Sequence, residues 1–283
     1  MQNTSSDRRL TVLVTGSNKG IGYAALDGLL GQAQSYHLIM TSRSVERGNQ
    51  AINELKSKHP SKQAPVCLEL DLNSKDSVHA FIKKLQEDNT KIDILINNAG
   101  IFHFNASTFK DFQLHWFVNY ENMKLLTESI INNNILNDSG KIIFVSSGLG
   151  KFGQLSSINQ DMYARFKEYR TMDRKLLEEL EGICVGDHEN GRMNKWPKMF
   201  YCSSKIFMCA YASVLGRELA GRNIQTYSMS PGFCQTDMTK GKGAQRTAAK
   251  GAETIVYLAG MRGDVDEKLQ GEYFYDLNHA PLY

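Results

Sequence analysis

Two rhythms of apolar and polar positions alternate along the chain. Short apolar runs, each closed by a turn signal, recur at residues 10–15, 37–42, 66–70, 92–96, 141–145 and 224–229. Runs this short, and so little interrupted by polar positions, read as strands buried on both faces. Between them lie stretches with helical spacing: residue 21 to about 32, 44–58, 77–86 with Ser74 as the cap, 109 to about 132, and 205 to about 221. Strands alternating with helices through short connections predict an α/β fold, a parallel sheet with helices on both faces. Residues 271–275 make a last strand, and 279–283 a short tail with no legible role. The first nine residues, MQNTSSDRR, are polar and read as a flexible tail, leaving 10–283 as a single domain.

In such a sheet a ligand lies beyond the carboxyl ends of the strands, where Gly16, Arg43, Asp71 and Asn97 fall. The first strand runs into Gly16-Ser17-Asn18-Lys19-Gly20-Ile21-Gly22, which opens the first helix. The three glycines allow a tight turn, a backbone close to a phosphate, and close packing of helix on strand. The helix N-terminus offers free N–H groups to a pyrophosphate. Elsewhere such a cluster would be a surface turn; between strand and helix it reads as the nucleotide loop of a doubly wound, Rossmann-type domain. The second strand ends in Arg43, where an acid could have held a ribose hydroxyl, and Lys19 lies inside the loop. Two cations there suit the extra phosphate of NADP better than NAD.

Composition narrows the field. The chain has 283 residues, 41% hydrophobic and 22% charged, as expected of a folded globular protein. A net charge of +3 without a basic block argues against nucleic acid. No run approaches a membrane span, and the seven histidines show no metal-ligand spacing. Five scattered cysteines and no apolar leader fit a cytoplasmic protein with reduced thiols. The candidate chemistry is Tyr-x-x-x-Lys, which puts a phenol and an ammonium on one side of a helix and favours the phenolate. Three copies occur: Tyr120/Lys124, Tyr163/Lys167 and Tyr201/Lys205. Ser146-Ser147-Gly148 ends the 141–145 strand, either as a plain turn or with a serine donating to a carbonyl oxygen.

The ordered set of motifs resembles the short-chain dehydrogenase/reductase family. It comprises Thr15-Gly16-x-x-x-Gly20-x-Gly22, Asp71, Asn97-Asn98-Ala99-Gly100, Asn119, Ser147, Tyr201-x-x-x-Lys205, and Pro231-Gly232 followed by Thr236. Order selects among the tyrosines. Tyr120 precedes the serine strand. Tyr163 leaves too much chain before Pro231-Gly232, whereas Tyr201 is followed by one helix, one strand and then that turn. The choice leaves an insertion of about 40 residues between Gly148 and Pro197, its body at about 150–196, long for a connection. Residues 156–180 should be largely helical and 182–195 a polar loop. A helical insertion here resembles the monomeric carbonyl reductases, as do Asn18-Lys19-Gly20, Thr236-Asp237-Met238 and residues 251–259. Ser17 departs from the pattern, standing where many relatives have Gly or Ala.

The resemblance implies NADPH-dependent reduction of an aldehyde, ketone or quinone. Tyr201 would donate the proton, Ser147 would hold the same oxygen, Lys205 would lower the tyrosine pKa and grip the ribose, and Asn119 would position a relay water. It implies cofactor contacts from Gly16, Asn18, Lys19, Gly20, Ile21, Gly22, Arg43, Asp71, Leu72, Asn98, Ala99, Gly100, Tyr201, Lys205, Pro231, Gly232 and Thr236. Trp196, Phe200 and Phe233 flank the motifs as candidate substrate-pocket walls, against the ordinary reading of aromatics as core. A monomer is expected, because the extra helix would cover the surface through which relatives without it pair. The alternatives are an alcohol or steroid dehydrogenase working oxidatively with NAD, and an NADP-binding module without catalysis.

Overall fold

A computed structural model of the chain describes residues 8–240, 243–263, 266 and 268–283. Among the described residues seven parallel strands form over the apolar runs, the fifth starting five residues before its run: β1 (Leu10–Val14), β2 (Tyr36–Ser42), β3 (Val66–Glu69), β4 (Ile92–Asn97), β5 (Leu136–Val145), β6 (Gln225–Ser230) and β7 (Tyr273–Tyr275). Their order across the sheet is β3-β2-β1-β4-β5-β6-β7. The chain therefore builds outward from β1 on one side and then from β4 on the other. The reversal opens a crevice between the ends of β1 and β4.

Strand alternation splits the core in two. Val12, Val14, Ile94, Ile96, Ile143 and Val145 pack against α1 (Gly20–Leu30), α2 (Val45–Lys58) and α9 (Ala248–Gly260). Leu13, Leu95, Ile142 and Phe144 face the other way, toward α3 (Lys75–Glu87), α4 (Phe109–Trp116), α5 (Asn122–Asn132) and α8 (Phe200–Leu219). Local chemistry sets the helix starts. The Ser44 side chain accepts from Arg47 N, Ser74 from Ser77 N and Thr247 from Lys250 N, while Thr108 and Asp111 form a capping box. One buried cation closes a helix end: the Lys141 ammonium donates to the carbonyls of Leu258 and Met261 at the C-terminus of α9. Burial pushes its pKa down to about 8.

Several expectations need correcting. The 109–132 pattern is not one α-helix: a π-helical turn, Phe117–Glu121, interrupts it at Asn119. The insertion forms α6 (Gln160–Lys167) and α7 (Arg174–Glu189), so residues 182–189 are helix rather than polar loop. Leu177, Leu180, Cys184, Asp187 and His188 repeat at helical spacing on the buried face, and their burial outweighs the helix-weakening Gly182 and Gly186. The sheet also carries an antiparallel edge strand, β8 (Asn278–His279), paired with β7. The 279–283 tail docks: Leu282 is fully buried and its carbonyl accepts from Phe152 N at 2.6 Å, at the start of the insertion. Of the expected N-terminal tail, residues 1–7 lie outside the described residues. Arg8 is held, 2.5 Å from the buried Asp93 carboxylate.

Candidate active site

The glycine loop is built by close approach. Gly16 has φ +60°, and a Cβ on it would stand 2.9 Å from Ala99. A Cβ on Gly22 would come within 2.5 Å of the Asn98 side-chain nitrogen. The Thr15 hydroxyl accepts from the backbone N–H of Asn98 (2.9 Å) and Ala99 (3.0 Å), and the Asn98 amide donates back to the Thr15 carbonyl at 2.8 Å. These contacts stitch the end of β1 to the end of β4. Ser17 fits although it departs from the small-residue pattern: it is buried, and its hydroxyl donates to Val14 O at 2.7 Å. Helix α1 starts at Gly20 with no side-chain cap, so its first-turn N–H groups face the crevice unclaimed by a cap.

The crevice is a cleft of about 390 Å³. Sheet order arranges its walls. Toward β2 and β3 lie Lys19, Arg43, Asp71, Leu72 and Asn73; over β1 and β4 lie Gly16, Asn18, Gly20, Ile21, Asn98, Ala99 and Gly100. Toward β5 lie Val145, Ser146, Tyr201 and Lys205, with Ile101, His103, Leu114 and Val118 beside them. The loop after β6 contributes Pro231, Thr236, Asp237 and Met238. Arg43 is exposed there, and Asp71 accepts through its side chain from Asn73 N at 2.9 Å.

The predicted quartet converges at the β5 end. Asn119 is fully buried; its Oδ1 accepts from Ile101 N at 2.7 Å and its Nδ2 donates to Ile101 O at 3.0 Å. The π-helical turn aims this side chain across to the strand-end loop, as such turns do at functional sites. Gly100 leaves room there, since a Cβ on it would stand 3.1 Å from Asn119 Oδ1 and 3.7 Å from Lys205 Nζ. Lys205 is 2% exposed, and its ammonium donates to Val145 O at 2.9 Å. The Ser147 hydroxyl accepts from Leu149 N at 3.1 Å and reaches the Tyr201 phenol. Phe102 leans on the Tyr201 ring, centroids 5.0 Å apart.

The electrostatics differ from expectation in one respect. Lys205 does not set the Tyr201 pKa: burial pushes the phenol above its ordinary value, and the Ser147 hydroxyl opposes the rise. Burial also lowers Lys205, to about 8. Its ammonium sits 5.5 Å from the Tyr201 ring centre and spends its hydrogen bond on Val145.

The aromatic pocket walls are not where the sequence suggested. Trp196 is buried, its indole N–H donating to Asp187 at 3.1 Å. Phe200 packs edge-on against Phe112 and His188 in the same core. Both serve the seam between α8 and the insertion, because the first turn of α8 faces α7. Phe233 is exposed and lies outside the cleft wall. The residues that do flank Tyr201 (Ile101, Phe102, His103, Leu114, Val118) follow Asn97-Asn98-Ala99-Gly100 or precede Asn119, and proximity to those motifs was the available signal. The other tyrosine pairs are accounted for. The Tyr120 hydroxyl and the Lys124 ammonium both bind Glu181 of α7, while Lys167 lies over the Tyr163 ring on α6.

Comparison with known proteins agrees with this architecture. The sequence profile described as short chain dehydrogenase matches residues 10–165 and 189–247, skipping much of the insertion. Carbonyl reductase [NADPH] 3 of Rattus norvegicus is 30% identical over 90% of this chain and 92% of its own length. Carbonyl reductase [NADPH] 1 of Homo sapiens is 29% identical over 90% and 92%. The structure of salutaridine reductase from Papaver somniferum covers 95% of this chain and all of its own, with 24% identity and a TM-score of 0.79. Menthone neomenthol reductase from Mentha piperita gives a TM-score of 0.76 at 22% identity, covering 95% of this chain and 99% of its own. Among the described residues no helix is long and apolar enough to cross a membrane. The protein belongs to the short-chain dehydrogenase family of oxidoreductases.

Proposed function

We propose that the protein reduces the carbonyl group of a small molecule with NADPH. The observation that carries this reading is the meeting of Tyr201, Ser147 and Lys205 at one end of a cleft whose other end holds Lys19 and Arg43. The cleft fits the cofactor. Gly16 and Gly22 leave no space for a side chain under the loop, the first turn of α1 is uncapped, and two cations stand where a 2′-phosphate would lie. Bound there, NADPH would supply the hydride.

The residues of the chain do the rest. Tyr201 gives its proton to the oxygen of the substrate carbonyl as charge develops on it, and the Ser147 hydroxyl donates to the same oxygen. The raised pKa of the phenol keeps Tyr201 protonated and ready to act as the acid. Lys205 supplies positive charge beneath the site and would hold the ribose hydroxyls of a bound cofactor. Asn119 fixes the end of the 98–101 loop through its paired contacts with Ile101, and so would steady the wall against which nicotinamide and substrate bind. Ile101, Leu114, Val118 and Met238 give the substrate end an apolar lining, suited to a carbonyl carried on an apolar body.

The reading is tested by following NADPH oxidation over a panel of quinones, aldehydes and ketones. Tyr201→Phe should lower turnover by about 100-fold or more with cofactor binding and melting temperature retained. Full activity in that variant would sink the assignment. The same reading includes a monomer. Helix α7 lies over the outer faces of α5 and α8, with Glu181 on Tyr120 and Lys124, and Arg174 on Glu128 and Glu218.

A further inference from the structure

One ion pair at the cleft mouth has no part in the chemistry proposed above. Lys19 Nζ lies 2.7 Å from Asp237 Oδ2 and joins the glycine loop to the loop after β6. Both side chains line the cleft, and both are open to solvent, 60% and 76% exposed. The two loops also touch beneath the pair, since a Cβ on Gly20 would stand 3.6 Å from the Thr236 methyl. The turn that carries Asp237 is braced: Thr236 N donates to the Thr239 hydroxyl at 3.1 Å, and that hydroxyl donates onward to Cys234 O at 2.9 Å. The carboxylate is thus held over the glycine loop. Lys19 in turn keeps the Asp237 carboxyl below its ordinary range. Arg43, by contrast, makes no ion pair among the described residues.

A phosphate monoester carries a charge near −2 at neutral pH, and charge-assisted contacts with it are stronger than those with a single carboxylate. Lys19 cannot serve such a group fully while it is bound to Asp237. The geometry points to Asp237 as an internal competitor for the cofactor's 2′-phosphate: a carboxylate that occupies Lys19, straps the two loops together, and yields only to a more highly charged anion. This rests on the NADPH reading and adds to it. The exchange costs affinity for the phosphate-bearing cofactor alone, because a cofactor without the phosphate has no reason to break the pair. Asp237 therefore restrains the preference that Lys19 and Arg43 create.

The test is a set of fluorescence titrations of the full chain with NADPH and with NADH. It covers the wild type, Asp237→Asn, Lys19→Ala and the double variant, with melting temperatures to verify folding. Asp237→Asn should tighten NADPH about three-fold, the scale an exposed ion pair permits, and leave NADH within a factor of about two. In the Lys19→Ala background the same change should gain nothing, since the competition has lost its prize. Asp237→Ser, which cannot reach Lys19, should behave as Asp237→Asn does. An equal gain for both cofactors, an equal gain with and without Lys19, or no gain at all would overturn the competitor. A wild type that binds NADPH no tighter than NADH would instead remove the NADPH reading, and the competitor with it.

Discussion

Lys205 shows most directly what the site asks of single residues. An ammonium 2% exposed, donating to the Val145 carbonyl oxygen at 2.9 Å, is costly to bury. Its pKa of about 8 against an ordinary 10.5 corresponds to about 3 kcal/mol in the folded state. The sign follows from the depressed value. The penalty is complete below about pH 8 and is relieved as pH rises toward 10.5, because the unfolded chain then holds the proton that the folded chain has lost. Activity should move the other way if the charge serves the reaction, so kcat/KM should decline as pH passes through about 8 while stability against urea does not. A rate flat to pH 10 would contradict this. Lys205→Met should abolish turnover without lowering the melting temperature, since it removes a buried charge and fills the same volume. The motif spacing made Tyr201 and Lys205 legible. The carbonyl that captures the lysine, and the burial that raises the tyrosine, belong to β5 and the packed core, and no local pattern carries them.

At the scale of elements, the insertion departs most from its expected shape. Helix α7 continues to Glu189 because its buried stripe does, and glycines inside a helix say little about where it ends once that stripe is packed. Glu181 is the keystone of its docking, binding a buried tyrosine hydroxyl and a lysine 13% exposed. Burial, and then Glu181, hold the Tyr120 phenol well above its ordinary value. Glu181→Ala leaves both groups without their partner and should cost about 3 kcal/mol, read as a shift in the urea midpoint. Glu181→Gln keeps the hydrogen bond to Tyr120 and should cost less. The sequence made the strand–helix alternation, the Ser74 cap and the uncapped glycine loop readable, because each depends on near neighbours. It did not reveal the π-helical turn at Asn119, whose extra residue per turn is settled by contacts with Ile101 that lie 18 positions away.

For the molecule as a whole, the charged docking of α7 bears on assembly. Arg174 binds Glu128 of α5 and Glu218 of α8 at 2.5 Å, so those outer faces are already occupied within one chain. Light scattering at micromolar concentration should give a mass near 31.8 kDa; a stable tetramer would overturn the monomer. The Trp196 and Phe200 expectation failed for a reason of the same scale. Nearness to a motif in sequence says nothing about which face of α8 a residue takes, and the insertion offered those rings a core. The division of the core has a wider consequence. The sheet separates side chains that pack the glycine-loop helices from those that pack the insertion. Substitutions that reshape the insertion should therefore leave the opposite layer undisturbed. Lineages descended from such a chain are free to vary by mutation on the insertion's side of the sheet, while the layer beneath the glycine-loop helix stays under separate selection.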